Sequence, residues 1–111
     1  MKELGRDAII DVVKRSGIND KKIDKIIGTL RISLARQAAK RAEKSIILDE
    51  STVSELEESL RIGADITPLE AKKILITVED TIKIQDEAKV KFLDKGTFEV
   101  DKGALKFKLS E

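Results

Sequence analysis

The sequence predicts an α+β protein: an N-terminal helical half of short, long and short helices, followed by a short helix and a C-terminal antiparallel β-meander. Three observations predict it. Before residue 63, apolar residues recur at three- and four-residue steps, the period of a helix face. Residues 81–111 divide into four segments (81–88, 89–96, 97–103 and 104–111) that each open on an apolar/polar alternation. The first three close on DEA, DKG and DKG, so strand and tight turn alternate at the spacing of a meander. At 111 residues the chain is one domain with one core, in which residues 1–62 are helical and residues 63–111 supply a short helix and the sheet.

Each element has its own signal. The first helix is expected over 4–15, with Ala8, Ile9, Val12 and Val13 on one stripe and Ser16-Gly17 as its stop. Asn19-Asp20 caps a long second helix over 21–45, in which Ile23, Ile26, Ile27, Leu30, Leu34, Ala38 and Ala42 line one side. That stripe tapers from Ile and Leu to Ala, which lets another helix approach closely. Ile46-Ile47-Leu48 is a β-prone bridge. Thr52-x-x-Glu55 reads as a capping box for a third helix with Val53, Leu56 and Leu60 buried, stopped by Gly63. Thr67-Pro68-Leu69-Glu70 is the strongest start signal: capping Thr, Pro at the first helical position, and Glu closing the box. The fourth helix is expected to be short, because KILITVED from Lys73 alternates as a strand does, with Glu79-Asp80 turning into TIKIQ. In the meander, Ile82, Ile84, Val90, Phe92, Phe98, Val100, Leu105, Phe107 and Leu109 fall on one face, which places all three Phe in the core. Lys83, Lys89, Lys91, Glu99, Lys106 and Lys108 fall on the other, wet face. Each DKG is read as a hairpin turn with Gly at positive φ.

Composition narrows the chemistry. Cys and His are absent, which excludes disulfides, thiolate and imidazole metal sites, and nucleophile–histidine catalysis. No catalytic motif, glycine-rich phosphate loop, cofactor motif or metal-ligand spacing is present, so the expectation is a non-enzymatic protein without cofactor or metal. The longest apolar runs are three residues, and MKELGRDAII lacks an apolar signal region, so no membrane span or secretory signal is expected and the expected location is cytoplasmic. Charged residues make up 39% of the chain, with fifteen Ile and only Asn19, Gln37 and Gln85 as amide side chains. This balance is of the kind found in hyperthermophiles and suggests a thermophilic, archaeal source.

A net charge of +1 conceals an asymmetry. Residues 1–48 hold twelve Lys/Arg against six Asp/Glu, and residues 49–70 hold one against seven. The candidate nucleic-acid contacts are Lys14 and Arg15 at the end of the first helix, Lys21, Lys22 and Lys25 at the start of the second, and Arg36, Lys40, Arg41 and Lys44 along it. Arg36, Lys40 and Lys44 form an i, i+4, i+8 row that can track phosphates by displacing condensed counterions. Thr29, Ser33 and Gln37 lie between the charges as neutral donors. The competing reading is a solvated helix face whose C-terminal cations complement the helix dipole. The Asp49, Glu50, Glu55, Glu57, Glu58 and Asp65 cluster lacks the spacing of a calcium loop and reads as helix-start carboxylates. The lysine-rich sheet face is a further candidate, without the aromatic residues that stack bases.

A short helix, a tight loop, a helix of about 25 residues, a β-prone bridge and another short helix resemble the histone fold over residues 5–62. The run ISLARQAAKRAEKSIILDESTVSEL is similar to the end of an archaeal histone's central helix, its second loop and its third helix. The resemblance implies a dimer with crossed central helices, and DNA held by loops and first-helix ends: here Lys14, Arg15, Lys21 and Lys22. Ser45-Ile46-Ile47-Leu48-Asp49 departs from the family's basic second loop, and the C-terminal sheet is foreign to a minimal histone. A winged-helix arrangement, with residues 51–78 supplying two helices and the DKG hairpins a wing, is a variant of the same reading. The expected function is DNA binding or DNA architecture by a homo-oligomer, a dimer, with DNA held at the basic helices. The alternative is an interaction module that self-associates or docks on a protein partner without nucleic acid.

Overall fold

A computed structural model describes residues 2–84, 89–101 and 103–110. The chain runs through β1 (Lys2–Leu4), α1 (Arg6–Arg15), a 3-10 turn (Asp20–Lys22), α2 (Ile23–Ala39), β2 (Ser45–Ile47), α3 (Glu50–Ala64), α4 (Pro68–Ile84), β3 (Lys89–Phe92), β4 (Gly96–Asp101) and β5 (Ala104–Leu109). This is the α+β class that the sequence predicts. The strands form one five-stranded sheet in the order β1-β3-β4-β5-β2. β3, β4, β5 and β2 pair antiparallel with their neighbours, and β1 joins β3 in parallel at one edge.

The helices cover one face of the sheet. Ile9 of α1, Leu30 of α2, Leu56 of α3 and Val78 of α4 converge with Phe92 and Phe98 around a small apolar cavity of about 40 Å³. Val90, Phe92, Phe98, Leu105 and Phe107 are buried on this face, as the alternation predicts, while Val100 and Leu109 pack against it partly buried. The three Phe rings form a cluster: Phe92 meets Phe98 at 5.2 Å and 70°, and Phe98 meets Phe107 at 5.2 Å and 60°. Such pairs add about 0.5–1.5 kcal/mol each beyond the area they bury.

Local signals locate most ends. α1 stops at a left-handed Gly17 (φ 77°), whose N–H donates to the Lys14 carbonyl while the Ile18 N–H donates to Val13. The Thr67/Glu70 box forms reciprocally: the Glu70 N–H donates to Thr67 Oγ1 at 3.1 Å, and the Thr67 N–H to Glu70 Oε1 at 3.0 Å. β3 and β4 turn through residues 93–95, and Gly103 (φ 82°) turns β4 into β5.

Several expectations are corrected. Residues 2–4 are a strand rather than helix: Leu4 is buried opposite Phe92, and the extended Gly5 separates it from α1. α2 ends at Ala39 instead of continuing to 45. A turn from Ala38 to Arg41 and a left-handed Lys44 (φ 53°) bend the chain so that Ile46 can pair opposite Phe107, and this sheet pairing outweighs helix propensity. The cap of α3 is Asp49, not Thr52; Thr52 is buried and gives its N–H to Asp49 Oδ1 at 2.9 Å. α3 runs past Gly63 to Ala64, and Asp65 (φ 51°) takes the left-handed position after it.

α4 is not short. It continues through the expected strand and the Glu79-Asp80 turn to Ile84, so 81–84 is helix and not the first strand of the meander. Ala71, Ile74, Val78 and Ile82 are the buried stripe, at helical steps, whereas Ile76, which created the alternation, is exposed. Its β-branched residues imitate a strand, but the core selects the helical period. The expected DEA turn, 86–88, lies outside the described residues. Gly96 is not a positive-φ turn residue either; Leu93 (φ 51°) takes that conformation. Gly96 opens β4 where a Cβ would overlap the Lys108 carbonyl oxygen and lie 2.5 Å from Phe107 Cζ.

Two substitutions test this account by chemical denaturation. Gly96→Ala forces β5 or the Phe107 ring to move and should cost on the order of 1–3 kcal/mol. Asp65→Gly relieves a left-handed non-glycine position at an exposed site and should stabilise by up to about 1 kcal/mol.

Candidate nucleic-acid interface

The uncovered face of the sheet is built by the residues that alternate with the core. Cross-strand register aligns Lys91, Thr97, Lys108 and Ser45 in one row, and Lys89, Glu99, Lys106 and Ile47 in the next. Neighbouring strands are about 4.8 Å apart, and same-face residues along a strand about 7 Å apart. Among the described side chains of the meander's wet face, four lysines therefore stand against one glutamate, Glu99, which is flanked by Lys89 and Lys106. Such opposite-sign neighbours stabilise the sheet while leaving an excess of positive charge. Lys91 sits opposite Glu3 of β1 in register.

The 40–44 loop borders the sheet at its β2 edge. The Leu109 N–H donates to the Lys44 carbonyl at 2.8 Å, and the Leu48 N–H to Leu105 at 2.8 Å, which ties the loop and β2 against β5. Lys40, Arg41 and Lys44 are exposed in this loop, and Arg41 lies beside Ser45 and the exposed Ile47. The Thr52 N–H, and to a smaller extent the Arg41 charge, hold the Asp49 carboxyl below its ordinary range.

No family model, curated protein or solved structure matches this chain. Its candidate contacts therefore rest on geometry alone.

The expected contact residues fall into two groups separated by α2, whose 17 residues span about 25 Å. Lys14, Arg15, Lys21, Lys22 and Lys25 lie at one end. Arg15 is engaged within the chain: its Nε lies 3.1 Å from Asp11 and its Nη2 donates to Thr81 Oγ1 at 3.1 Å. Lys22 Nζ donates to the Asp65 carbonyl at 2.6 Å, satisfying the end of α3. Lys14, Lys21 and Lys25 are exposed. Nearby, Glu70 is held below its ordinary range by the Thr67 N–H first, and also by Lys22 and Lys73.

Arg36, Lys40, Arg41 and Lys44 occupy the other end. The expected i, i+4, i+8 row does not form, because only Arg36 lies within α2 and the chain turns after Lys40. All four are exposed, and among the described residues none forms an ion pair with the acidic 49–65 segment. Two acidic residues of that segment have partners within it, Asp49 as the cap of α3 and Glu58 in its pair with Arg61. Among the described residues no group of three or more carboxylates converges to hold a metal ion.

The lysine excess of the sheet was legible as a period-two pattern. That the 40–44 loop borders the sheet was not, since it depends on β2 pairing with β5 across some sixty residues of chain.

The lowered carboxyl groups give the stability a pH dependence. Asp49, Glu58 and Glu70 all have folded values below their unfolded ones, Glu58 through its hydrogen bonds with Arg61. Their contribution is present above the unfolded carboxylate range near 4 and is lost as pH falls through the lower folded values. Melting temperature should therefore hold level around neutrality and fall on acidification below about pH 4. Asp49→Asn, which still caps the helix, should leave the neutral melting temperature nearly unchanged and reduce that acid loss.

Proposed function

We propose that this protein is a small, non-enzymatic DNA-binding protein that holds the phosphate backbone of duplex DNA on the lysine face of its sheet and on the cations flanking β2. The observation that carries the reading is the cross-strand register, which gathers Lys89, Lys106 and Lys108 on one face with Lys44 beside β5. Flexible lysine stems suit phosphates rather than base edges, and the face has no aromatic residue on which bases could stack. Binding is then independent of sequence and strongly salt-dependent.

This differs from the use of DNA implied by the histone resemblance. There, the first-helix end and first loop would hold the duplex; here, Arg15 and Lys22 are already engaged with Asp11, Thr81 and Asp65. Lys14, Lys21 and Lys25 form a secondary patch on this reading.

Fluorescence anisotropy with a random-sequence duplex across a salt series tests it. The logarithm of affinity should fall with that of salt at a slope of roughly −3 to −5, about 0.9 per phosphate contact. Lys106→Gln with Lys108→Gln should reduce the slope by about 2 and weaken binding equally for every sequence. An unchanged slope in that variant, together with a reduced one in Lys14→Gln/Lys21→Gln, would move the interface to the other end of α2. Absence of binding at low salt would remove the function.

A further inference from the structure

The side of α2 turned away from the sheet carries a second surface. Leu30 and Leu34 face the core, and Ile32, two residues on from Leu30 and about 200° around the helix, is 59% exposed. Across from it on α3, Ile62 is 70% exposed while Leu60 is fully buried. Between the two isoleucines lies an open groove of about 310 Å³ with Thr29, Ser33, Ser59 and Gly63 along it. Its serine hydroxyls already have partners: Ser33 Oγ donates to Ser59 Oγ at 3.1 Å, and Gln37 Nε2 donates to Ser33 Oγ at 3.3 Å. Covering this groove therefore strands no serine hydroxyl and removes two exposed isoleucines from water.

The charges around the groove say what covers it. Ser33 pairs with Ser59, and a Cβ on Gly63 would meet Thr29, so α2 and α3 run antiparallel and Arg36 lies level with Glu55. The exposed cations on this side of α2 are Lys25 and Arg36; on α3, Glu55 is exposed without a partner among the described ion pairs, and Glu58 is paired with Arg61. Arg36 and Glu55 make no ion pair within the chain among the described residues. A twofold axis parallel to the helices lays each α2 on the other copy's α3. Arg36 then meets Glu55 across the interface, and Ile32 meets Ile62. A twofold axis perpendicular to the helices would instead stack α2 on α2 and set like charges together. The face is thus complementary to itself in one orientation, the property that a closed symmetric interface requires.

We infer that the outer face of α2 and α3 is a homodimer interface, in which a second copy of this chain completes a four-helix layer with α2 on α3 in both directions. A two-helix face about 25 Å long lies at the small end of specific interfaces, so the dimer forms on the order of micromolar concentrations. The inference is independent of the DNA reading, since neither Ile32 nor Glu55 belongs to the sheet face.

Sedimentation velocity over roughly a hundredfold range of concentration tests it, with circular dichroism melts confirming that each variant folds. The wild-type chain should shift from monomer to dimer across the range. Ile32→Glu, at an exposed position facing Glu58 of the other copy, should abolish the dimer. Arg36→Glu should weaken association at least about tenfold. Arg36→Glu combined with Glu55→Arg in the same chain should restore it, because each swapped residue again meets an opposite charge. A wild-type chain that stays monomeric at every concentration, a dimer indifferent to Ile32→Glu, or a swapped double variant that remains as weak as Arg36→Glu would each overturn the interface. Loss of DNA binding with an intact dimer would leave this inference standing and remove only the sheet reading.

Discussion

Phe107 joins the separate segments of this fold. It is fully buried, with register partners Phe98 on β4 and Ile46 on β2, and its ring lies 5.2 Å from Phe98 and 6.2 Å from Phe92. The meander β3-β4-β5 is local in sequence and closes through short turns. Its edges are not: β1 and β2 come from before and between the helices. Both are three residues long, and each adds one buried apolar side chain, Leu4 against Phe92 and Ile46 against Phe107. The phenylalanine cluster therefore recruits the distant segments, and the helices between them are drawn onto the same face. Edges this short also leave little free backbone for pairing with other chains.

What could be read beforehand follows from how local each cause is. The Thr67/Glu70 box, the Gly17 stop and the alternation of 89–109 are settled within a few residues, and all are present in the structure. The end of α2 is different. RQAAKRAEKS is good helix sequence, yet the chain leaves the helix at Lys40 and Ile46 pairs with Phe107 some sixty residues away. α4 misled in the opposite sense. Ile74, Ile76 and Val78 alternate, yet Ile76 is exposed and Ala71 and Ile82 carry the burial at helical steps. Gly96 shows that a glycine beside Asp-Lys marks a turn in one hairpin and a close backbone approach in the other.

The candidate site divides along the same line. That the basic residues are numerous is evident from composition, but their uses are tertiary facts. Lys22 closes the end of α3 and Arg15 bridges α1 to α4, and neither commitment has any trace in the spacing of charges. Within the acidic 49–65 segment, Asp49 caps α3 and Glu58 pairs with Arg61. The cations at the end of α2 form no ion pair with that segment among the described residues and remain exposed.

The two proposed surfaces lie on opposite sides of the molecule, and that placement constrains how they can act together. Ile32 and Arg36 point away from the core-facing Leu30 and Leu34, whereas the lysine face is the sheet surface that the helices leave uncovered. A twofold axis through the helical layers would turn the two lysine faces outward in opposite directions. Neither face then deepens or shapes the other, so dimerisation cannot create a groove that reads bases. On these proposals it joins the two phosphate-binding surfaces back to back instead. On the proposed reading, each surface alone would make few ionic contacts and be weak at physiological salt, whereas two rigidly linked surfaces raise the effective concentration of a second duplex, or of a distant stretch of the same one. On these proposals the protein gains nothing from a single short duplex by pairing. It gains where two DNA segments are close enough to be bridged, which is an architectural use of nonspecific binding.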